Sequence, residues 1–155
     1  RMSGPTTLLG FDVGAKRIGV AVGNTLSGTA RELGVLEVRA AGPDWERLDR
    51  WLKEWRPDLL VVGAPATLEG EDQPARQRAR GFARSLAKRY GLTVQQVDER
   101  RSSVEAAQRV AAGRAAGARK RPQADQLDAL AAAIILERWL AEPDSRRPTD
   151  ADPTP

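Results

Sequence analysis

The sequence predicts an α/β fold in which a five-stranded mixed sheet carries helices on both faces. Two short apolar runs, residues 7–13 and 17–23, flank a Gly-containing link, which is the pattern of a β-hairpin. A continuous apolar run at 59–63 and a further strand at 92–98 alternate with segments of helical periodicity, as strands joined by helical crossovers do. The first three strands are therefore expected to be antiparallel, and the later strands to join the same sheet through helices.

Local signals place the other elements. Small polar residues over 24–31 predict a loop, and apolar residues between 33 and 38 predict the third strand. Gly42 and Pro43 are expected to end this part of the sheet, and Asp44 to cap a helix that stops before Pro57. Further helices are predicted over 74–90, from Ser102 or Ser103 to about 112, and over 125–141, with a mobile segment at 113–122.

Size and composition indicate one domain. Of the 155 residues, 41% are apolar, which suits a globular protein. The domain is expected over residues 1–141, because residues 142–155 combine four prolines with charged residues and predict a disordered tail. No apolar run approaches the length of a transmembrane helix, so a cytoplasmic protein with no membrane partner is expected.

The absence of two residue types restricts the possible chemistry. The chain has no Cys and no His, which excludes disulfides, thiolate nucleophiles, imidazole bases and Cys-ligated zinc. Any bound metal must be held by oxygen ligands, and these favour Mg²⁺ or Mn²⁺.

The charge distribution favours a polyanionic partner. The formal net charge is +4, while residues 142–155 carry four acids and only two arginines, so the excess of cations lies in the predicted domain. Nucleic acid is a more natural partner than a membrane, since no amphipathic membrane helix stands out. A basic face that serves only solubility is the alternative interpretation.

Three acids occur where neighbouring residues do not explain them. Asp12 interrupts an apolar strand, where an unpaired charge would be costly to bury. Glu99 lies at the carboxyl end of a strand, where α/β sheets commonly place their sites, and the adjacent Asp98 is expected on the opposite face. Asp128 lies at the middle of the apolar face of the last helix, whereas Asp125, one turn earlier, is also explained as a cap. Carboxylates of this kind are able to hold one or two divalent ions for phosphodiester hydrolysis.

The order of motifs resembles the YqgF/RuvX family. The matching segments are residues 11–23 (FDVGAKRIGVAVG), 28–31 (GTAR), 54–58 (EWRPD), 61–63 (VVG), 78–83, 97–100 (VDER), 127–128 and 134–137. The resemblance implies a ribonuclease H-like fold and a cytoplasmic nuclease that processes the 5′ end of pre-16S rRNA, in a family also described as Holliday junction resolvases. It places the catalytic, metal-binding triad on Asp12, Glu99 and Asp128. The loop at 64–70 departs from the family pattern, since it lacks the usual Asn and has Glu69 in place of Asp.

Basic residues near these acids form the predicted nucleic-acid surface. Arginine suits phosphate recognition, and residues 100–121 contain seven cations and a single acid, Glu105. The predicted contacts are Lys16, Arg17, Arg76, Arg80, Arg84, Arg100, Arg101, Arg109, Arg114, Arg119, Lys120 and Arg121. Three tryptophans at 45, 51 and 55 are expected to pack in the core, with base stacking as the alternative.

Three functions fit these features. The first is a metal-dependent nuclease acting on structured RNA, with branched DNA as the second substrate class and pre-ribosomal particles as partners. The second is a non-catalytic nucleic-acid-binding or ribosome-assembly module. The third is an actin-like ATPase, which also begins with an Asp-x-Gly turn but needs two such domains. The oligomeric state stays open between a monomer and a weak dimer.

Overall fold

The computed structural model describes residues 6–65, 73–99 and 124–141. These residues form one sheet and three helices. The strands are β1 (Thr7–Val13), β2 (Arg17–Asn24), β3 (Thr29–Arg39), β4 (Gly42–Pro43), β5 (Leu59–Pro65) and β6 (Thr93–Glu99). The helices are α1 (Trp45–Trp55), α2 (Gln73–Tyr90) and α3 (Ala124–Ala141). The helix predicted from Ser102 or Ser103, the segment 113–122 and the tail 142–155 lie outside the described residues.

The sheet is mixed, as predicted, with the strand order β4-β3-β2-β1-β5-β6. Strands β1, β2 and β3 pair antiparallel in sequence, while β1 with β5 and β5 with β6 pair parallel. The predicted count of five strands is wrong by one, because Gly42 and Pro43 pair with Val38 and Arg39 of β3 instead of ending the sheet. The Asp44 amide also donates to the Glu37 carbonyl at 3.1 Å, which holds this short return strand in place.

The third strand begins earlier than the sequence predicts. Residues 29–31 were expected in a loop, but Thr29 already pairs with Asn24 of β2. The turn between them is tight: Gly28 has φ of +70°, and its amide donates to the Asn24 carbonyl at 2.9 Å. Glycine adopts this left-handed conformation without steric cost, so the chain reverses quickly and pairing starts sooner.

The two faces of the sheet are covered by different helices, as predicted. Side chains alternate along β1, so Leu9, Phe11 and Val13 join a core cluster with residues of α1 and α2. Leu8 faces the other way and packs in a second cluster with residues of α3 such as Leu136. The sheet is therefore buried between α1 and α2 on one face and α3 on the other.

Helix α1 begins and ends as its sequence predicts. The Asp44 side chain accepts a hydrogen bond from the Arg47 amide at 3.2 Å and caps the first turn. Arg56 follows the last turn in a left-handed conformation, with φ of 47°. The three tryptophans of this helix are half-buried and pack against the core, in agreement with the packing interpretation. Within the described ranges, no helix has the length and apolar character that crossing a membrane requires.

Candidate active site

Asp12 lies in the middle of the sheet, near the carboxyl end of β1. It pairs with Gly19 of β2 on one side and with Gly63 of β5 on the other. Its position in the alternation of β1 places it on the face covered by α3, opposite to the neighbouring Phe11 and Val13. Only 8% of the residue is exposed. The predicted acid is therefore a buried carboxylate at the interface between the sheet and the last helix.

The surroundings of Asp12 disfavour its charged form. Burial raises the pKa of Asp12 from 3.8 to about 7, and the negative charge of Asp128 contributes to the increase. A proton on the Asp12 carboxyl group, or a cation beside it, would relieve this unfavourable burial of charge.

Asp128 lies in the first part of α3, the helix that covers the same face of the sheet as Asp12. Its Oδ2 accepts a hydrogen bond from the Nε of Arg17 at 2.7 Å. Arg17 is the first residue of β2, so the ion pair joins the hairpin to the last helix. About one third of each side chain is exposed, which leaves the pair at the rim of the site.

Glycines allow α3 to approach the sheet closely enough for this arrangement. A Cβ built on Gly19 would collide with the backbone carbonyl oxygen of Asp128. Cβ atoms on Gly10 and Gly63 would meet side chains of α3. Gly19 thus allows close approach of the α3 backbone, and Gly63 allows close approach of an α3 side chain. Gly14 closes the tight link by donating its amide to the Arg17 carbonyl at 3.0 Å.

The other predicted acids are only partly described. The registers of β1 with β5 and of β5 with β6 place Asp12 level with Val97, and Glu99 follows two residues later at the end of β6. Asp125 lies one turn before Asp128 in α3. The side chains of Glu99 and Asp125 lie outside the described part of the structure, as do those of Asp98 and Glu69.

The two predicted acids whose side chains the structure describes suit a hard divalent cation in their chemistry. The third member of the predicted triad, Glu99, is not among them. Among the side chains that the structure describes, no group of three or more acids is arranged to hold a metal. Asp12 and Asp128 offer carboxylate oxygens, which are the ligands that Mg²⁺ and Mn²⁺ prefer. The pKa of Asp12 is raised mainly by burial and further by the charge of Asp128, so a cation beside it would favour the ionised form.

The predicted basic surface is described in part. Lys16 is exposed on the link between β1 and β2, while Arg17 is held by Asp128. On α2, Arg80 and Arg84 are exposed and Arg76 is half-buried. The remaining predicted contacts lie outside the described residues: Arg100, Arg101, Arg109, Arg114, Arg119, Lys120 and Arg121.

Sequence reasoning missed the pairing of Arg17 with Asp128. It assigned Arg17 only to nucleic-acid binding, because 111 residues separate the two partners and no local pattern links them. An arginine immediately after a Gly-containing hairpin link carries no signal of its own for such a contact.

Comparison with known proteins identifies the family. A family model described as "RuvX: Holliday junction resolvase" matches residues 6–142. The chain belongs to the RuvX family. Relatives in this family include two proteins named "Putative pre-16S rRNA nuclease", from Xanthomonas oryzae pv. oryzae and Xanthomonas axonopodis pv. citri. Each is 62% identical to this RuvX-family chain over 138 residues, which is 89% of either chain.

Solved structures agree with this assignment at the level of the fold. Thermus thermophilus RuvC superimposes with a TM-score of 0.53 and 20% identity, covering 92% of this RuvX-family chain and 99% of RuvC. T. thermophilus RuvC in complex with a Holliday junction substrate gives a TM-score of 0.51 and 22% identity, covering 87% and 93%. The ribonuclease H-like fold that the resemblance implied is thereby confirmed.

Proposed function

We propose that this RuvX-family chain is a divalent-metal-dependent nuclease that hydrolyses phosphodiester bonds, acting at the 5′ end of pre-16S rRNA. The observation that carries the proposal is the proximity of Asp12 and Asp128 around Gly19, which pairs with Asp12 in the sheet and packs against the Asp128 backbone of α3. Two carboxyl groups from opposite layers approach closely enough for one charge to raise the pKa of the other. Packing alone gives no reason to bury Asp12, because a charge without a cation is costly there.

The metal site is assigned to Asp12, Asp128 and Glu99, with Asp125 as a possible additional ligand. Glu99 is included because alternation along β6 assigns its position to the same face as Gln95, which accepts a hydrogen bond from Trp139 of α3 at 2.9 Å. A divalent cation bound there supplies activation of water and neutralisation of charge on the phosphate. A cytoplasmic location, where Mg²⁺ is abundant, belongs to the same proposal.

The residues of the chain have separate parts in this reaction. Asp12 is buried, so few water molecules compete for its carboxylate oxygens and they stay available as ligands. Arg17 orients Asp128 through the 2.7 Å hydrogen bond from its Nε. Lys16, exposed on the link beside the acids, is placed to neutralise the phosphate group that approaches them.

The exposed face of α2 is assigned to the nucleic-acid backbone. Arg80, Arg84 and Lys88 are exposed and follow one another at intervals of four residues. Such positions share one face of a helix and rise about 6 Å per interval, which suits contact with several phosphates in turn. Helix α2 covers the sheet face opposite to the acids. A nucleic-acid strand that contacts both α2 and the acids would therefore pass from one face of the sheet to the other.

Two substrate classes have separate support. The curated relatives at 62% identity are named for pre-16S rRNA, and on this basis RNA within pre-ribosomal particles is the first candidate. The family model is described as a Holliday junction resolvase, which supports four-way DNA junctions as the second.

The test compares both substrates directly. Labelled precursor RNA and a four-way DNA junction are incubated with the protein in Mg²⁺, in Mn²⁺ and in EDTA. Asp12→Asn is expected to abolish cleavage while the protein still folds and binds, and Glu46→Gln, which removes an exposed acid on α1, is expected to cut normally. Full cleavage by Asp12→Asn would refute the site. Absence of cleavage by the unsubstituted protein, with equal affinity in Mg²⁺ and EDTA, would favour the non-catalytic binding module.

A further inference from the structure

A groove of about 330 Å³ opens on the face of the sheet opposite to the acids. It lies between the β1–β2 link, the end of β3 and the helices α1 and α2. Its floor and walls are apolar or aromatic and include Val13, Ile18, Trp45 and Phe82, while Gln77, Arg78 and Ser85 of α2 stand along it. The volume falls at the small end of the range of about 300–1,000 Å³ typical of ligand sites.

The aromatic wall of this groove is supported by contacts between α1 and α2. The rings of Trp45 and Phe82 stack with their centroids 5.7 Å apart and an interplanar angle of 21°. Asp49 of α1 accepts hydrogen bonds from Arg89 at 2.7 and 3.0 Å and from the Tyr90 hydroxyl at 2.6 Å, and these bonds tie α1 to α2. The groove therefore exists before any ligand enters, so a ligand does not have to order its wall.

The position of the groove relates it to the candidate active site. Val13 lines the groove and directly follows Asp12, which points to the opposite face of the same strand. Gly14 also lines it and begins the link that ends at Arg17, the partner of Asp128. Only the adjoining ends of β1 and β2 and the link between them separate the groove from Asp12.

We infer that the groove receives an unpaired nucleobase of the RNA substrate, from a nucleotide close to the one whose phosphate meets the acids. The inference deepens the proposed function and rests on its assignment of RNA as the substrate. A nucleobase has a flat apolar face that packs on aromatic and apolar walls, and polar edges that the Gln77 amide and the Ser85 hydroxyl match.

Charge complementarity favours this occupant over an apolar peptide or a second copy of the chain. Arg78 stands exposed beside the groove, where it is placed to contact the phosphate of the inserted nucleotide. The exposed cations Arg80 and Arg84 continue along the same helix, so the surroundings suit a polyanion. The site would select substrates in which the chain next to the cut bond is single-stranded.

Gly81 provides a way to close the groove without harming the fold. It lines the groove in the interior of α2, and a Cβ built on it meets no atom within 4 Å. Since Gly is a poor helix former, Gly81→Leu should fill the groove and also stabilise the helix. Gly81→Ala gives a similar gain in helix propensity with far less volume, which makes it the matched control.

The experiment measures binding, in an Asp12→Asn background with Mg²⁺ so that the RNA stays intact. The probes are an RNA hairpin with a short single-stranded extension and the same hairpin whose extension is abasic, which keeps the phosphate charge. The protein with Gly81 and the Gly81→Ala variant should both bind the probe with bases about fivefold or more tightly than the abasic probe. In Gly81→Leu this gain should disappear, while affinity for the abasic probe and the thermal midpoint should not fall.

Other results have definite meanings. Retention of the gain by Gly81→Leu, or equal affinity of the unfilled protein for both probes, would overturn the inference. An equal gain with the matching DNA probes would overturn the assignment to RNA. A failure of the proposed function is seen separately, because cleavage is scored in the protein with Asp12 intact and the base-dependent gain in binding does not require it.

Discussion

The Nε of Arg17 lies 2.7 Å from the Oδ2 of Asp128, although 111 residues separate them in the chain. This ion pair places a positive charge beside the two carboxyl groups that meet between the sheet and α3. It acts as an internal counter-ion for Asp128 as long as no metal is present. A divalent cation bound at the acids would compensate part of the same negative charge.

Removing that counter-ion should therefore destabilise the metal-free protein more than the metal-bound one. Arg17→Gln is expected to lower the free energy of unfolding by about 1 kcal/mol in EDTA, because the pair is about one third exposed. The loss should shrink in saturating Mg²⁺. Thermal unfolding in the two buffers measures both effects, with Lys16→Gln as the control for losing a neighbouring cation. An equal loss in EDTA and Mg²⁺ would contradict this role.

The buried position of Asp12 predicts a pH dependence of stability in the absence of metal. Its pKa is about 7 in the folded protein and 3.8 ordinarily, so the folded state binds more protons between these values. The free energy of unfolding should consequently fall as the pH rises from about 4 to 7, by at most about 4 kcal/mol. Asp12→Asn cannot ionise and should flatten this part of the curve. Denaturant titrations in EDTA at several pH values test it, and parallel curves for the two proteins would refute it.

The close approach at Gly19 predicts a severe effect of a single methyl group. Gly19→Ala would drive a Cβ into the Asp128 carbonyl oxygen, so α3 must move away from the sheet. A cost of about 1–3 kcal/mol in the free energy of unfolding is expected, together with weaker binding of Mn²⁺. Denaturant unfolding and metal titration provide the two measurements. Gly81→Ala, where a Cβ meets open space, is the control and should be neutral or stabilising.

The cations along α2 predict the salt dependence of nucleic-acid binding. If Arg84 contacts one phosphate, Arg84→Gln should reduce the log–log slope of affinity against salt for a DNA duplex by about 0.9. Lys53→Gln removes an exposed cation on α1, outside the predicted surface, and should leave the slope unchanged. Fluorescence anisotropy at several salt concentrations measures the slopes. Equal slopes in all three proteins would remove Arg84 from the binding surface.

Local patterns account for the parts of the fold that were predicted correctly. The hairpin at β1 and β2, the strand β5 and the last helix are each indicated by the length of an apolar segment and by the Gly, Pro or polar residues that flank it. The errors occurred where pairing partners decide the outcome. Gly42 and Pro43 look like a stop signal, yet they form β4 because β3 offers Val38 and Arg39 as partners. Thr29 belongs to β3 because Gly28 closes a tight turn before it.

The amino-acid sequence alone predicted the α/β class, the two-sided burial of the sheet, the restriction to oxygen ligands, and the unusual placement of Asp12 and Asp128. These follow from composition and periodicity, which act over a few residues at a time. The tertiary structure was needed to show that α3 brings Asp128 close to Asp12, that Arg17 pairs with Asp128, and that an aromatic groove lies on the other side of the same link. Such relationships depend on the distance between layers of the fold, and that distance is set by glycines and side chains far apart in the chain.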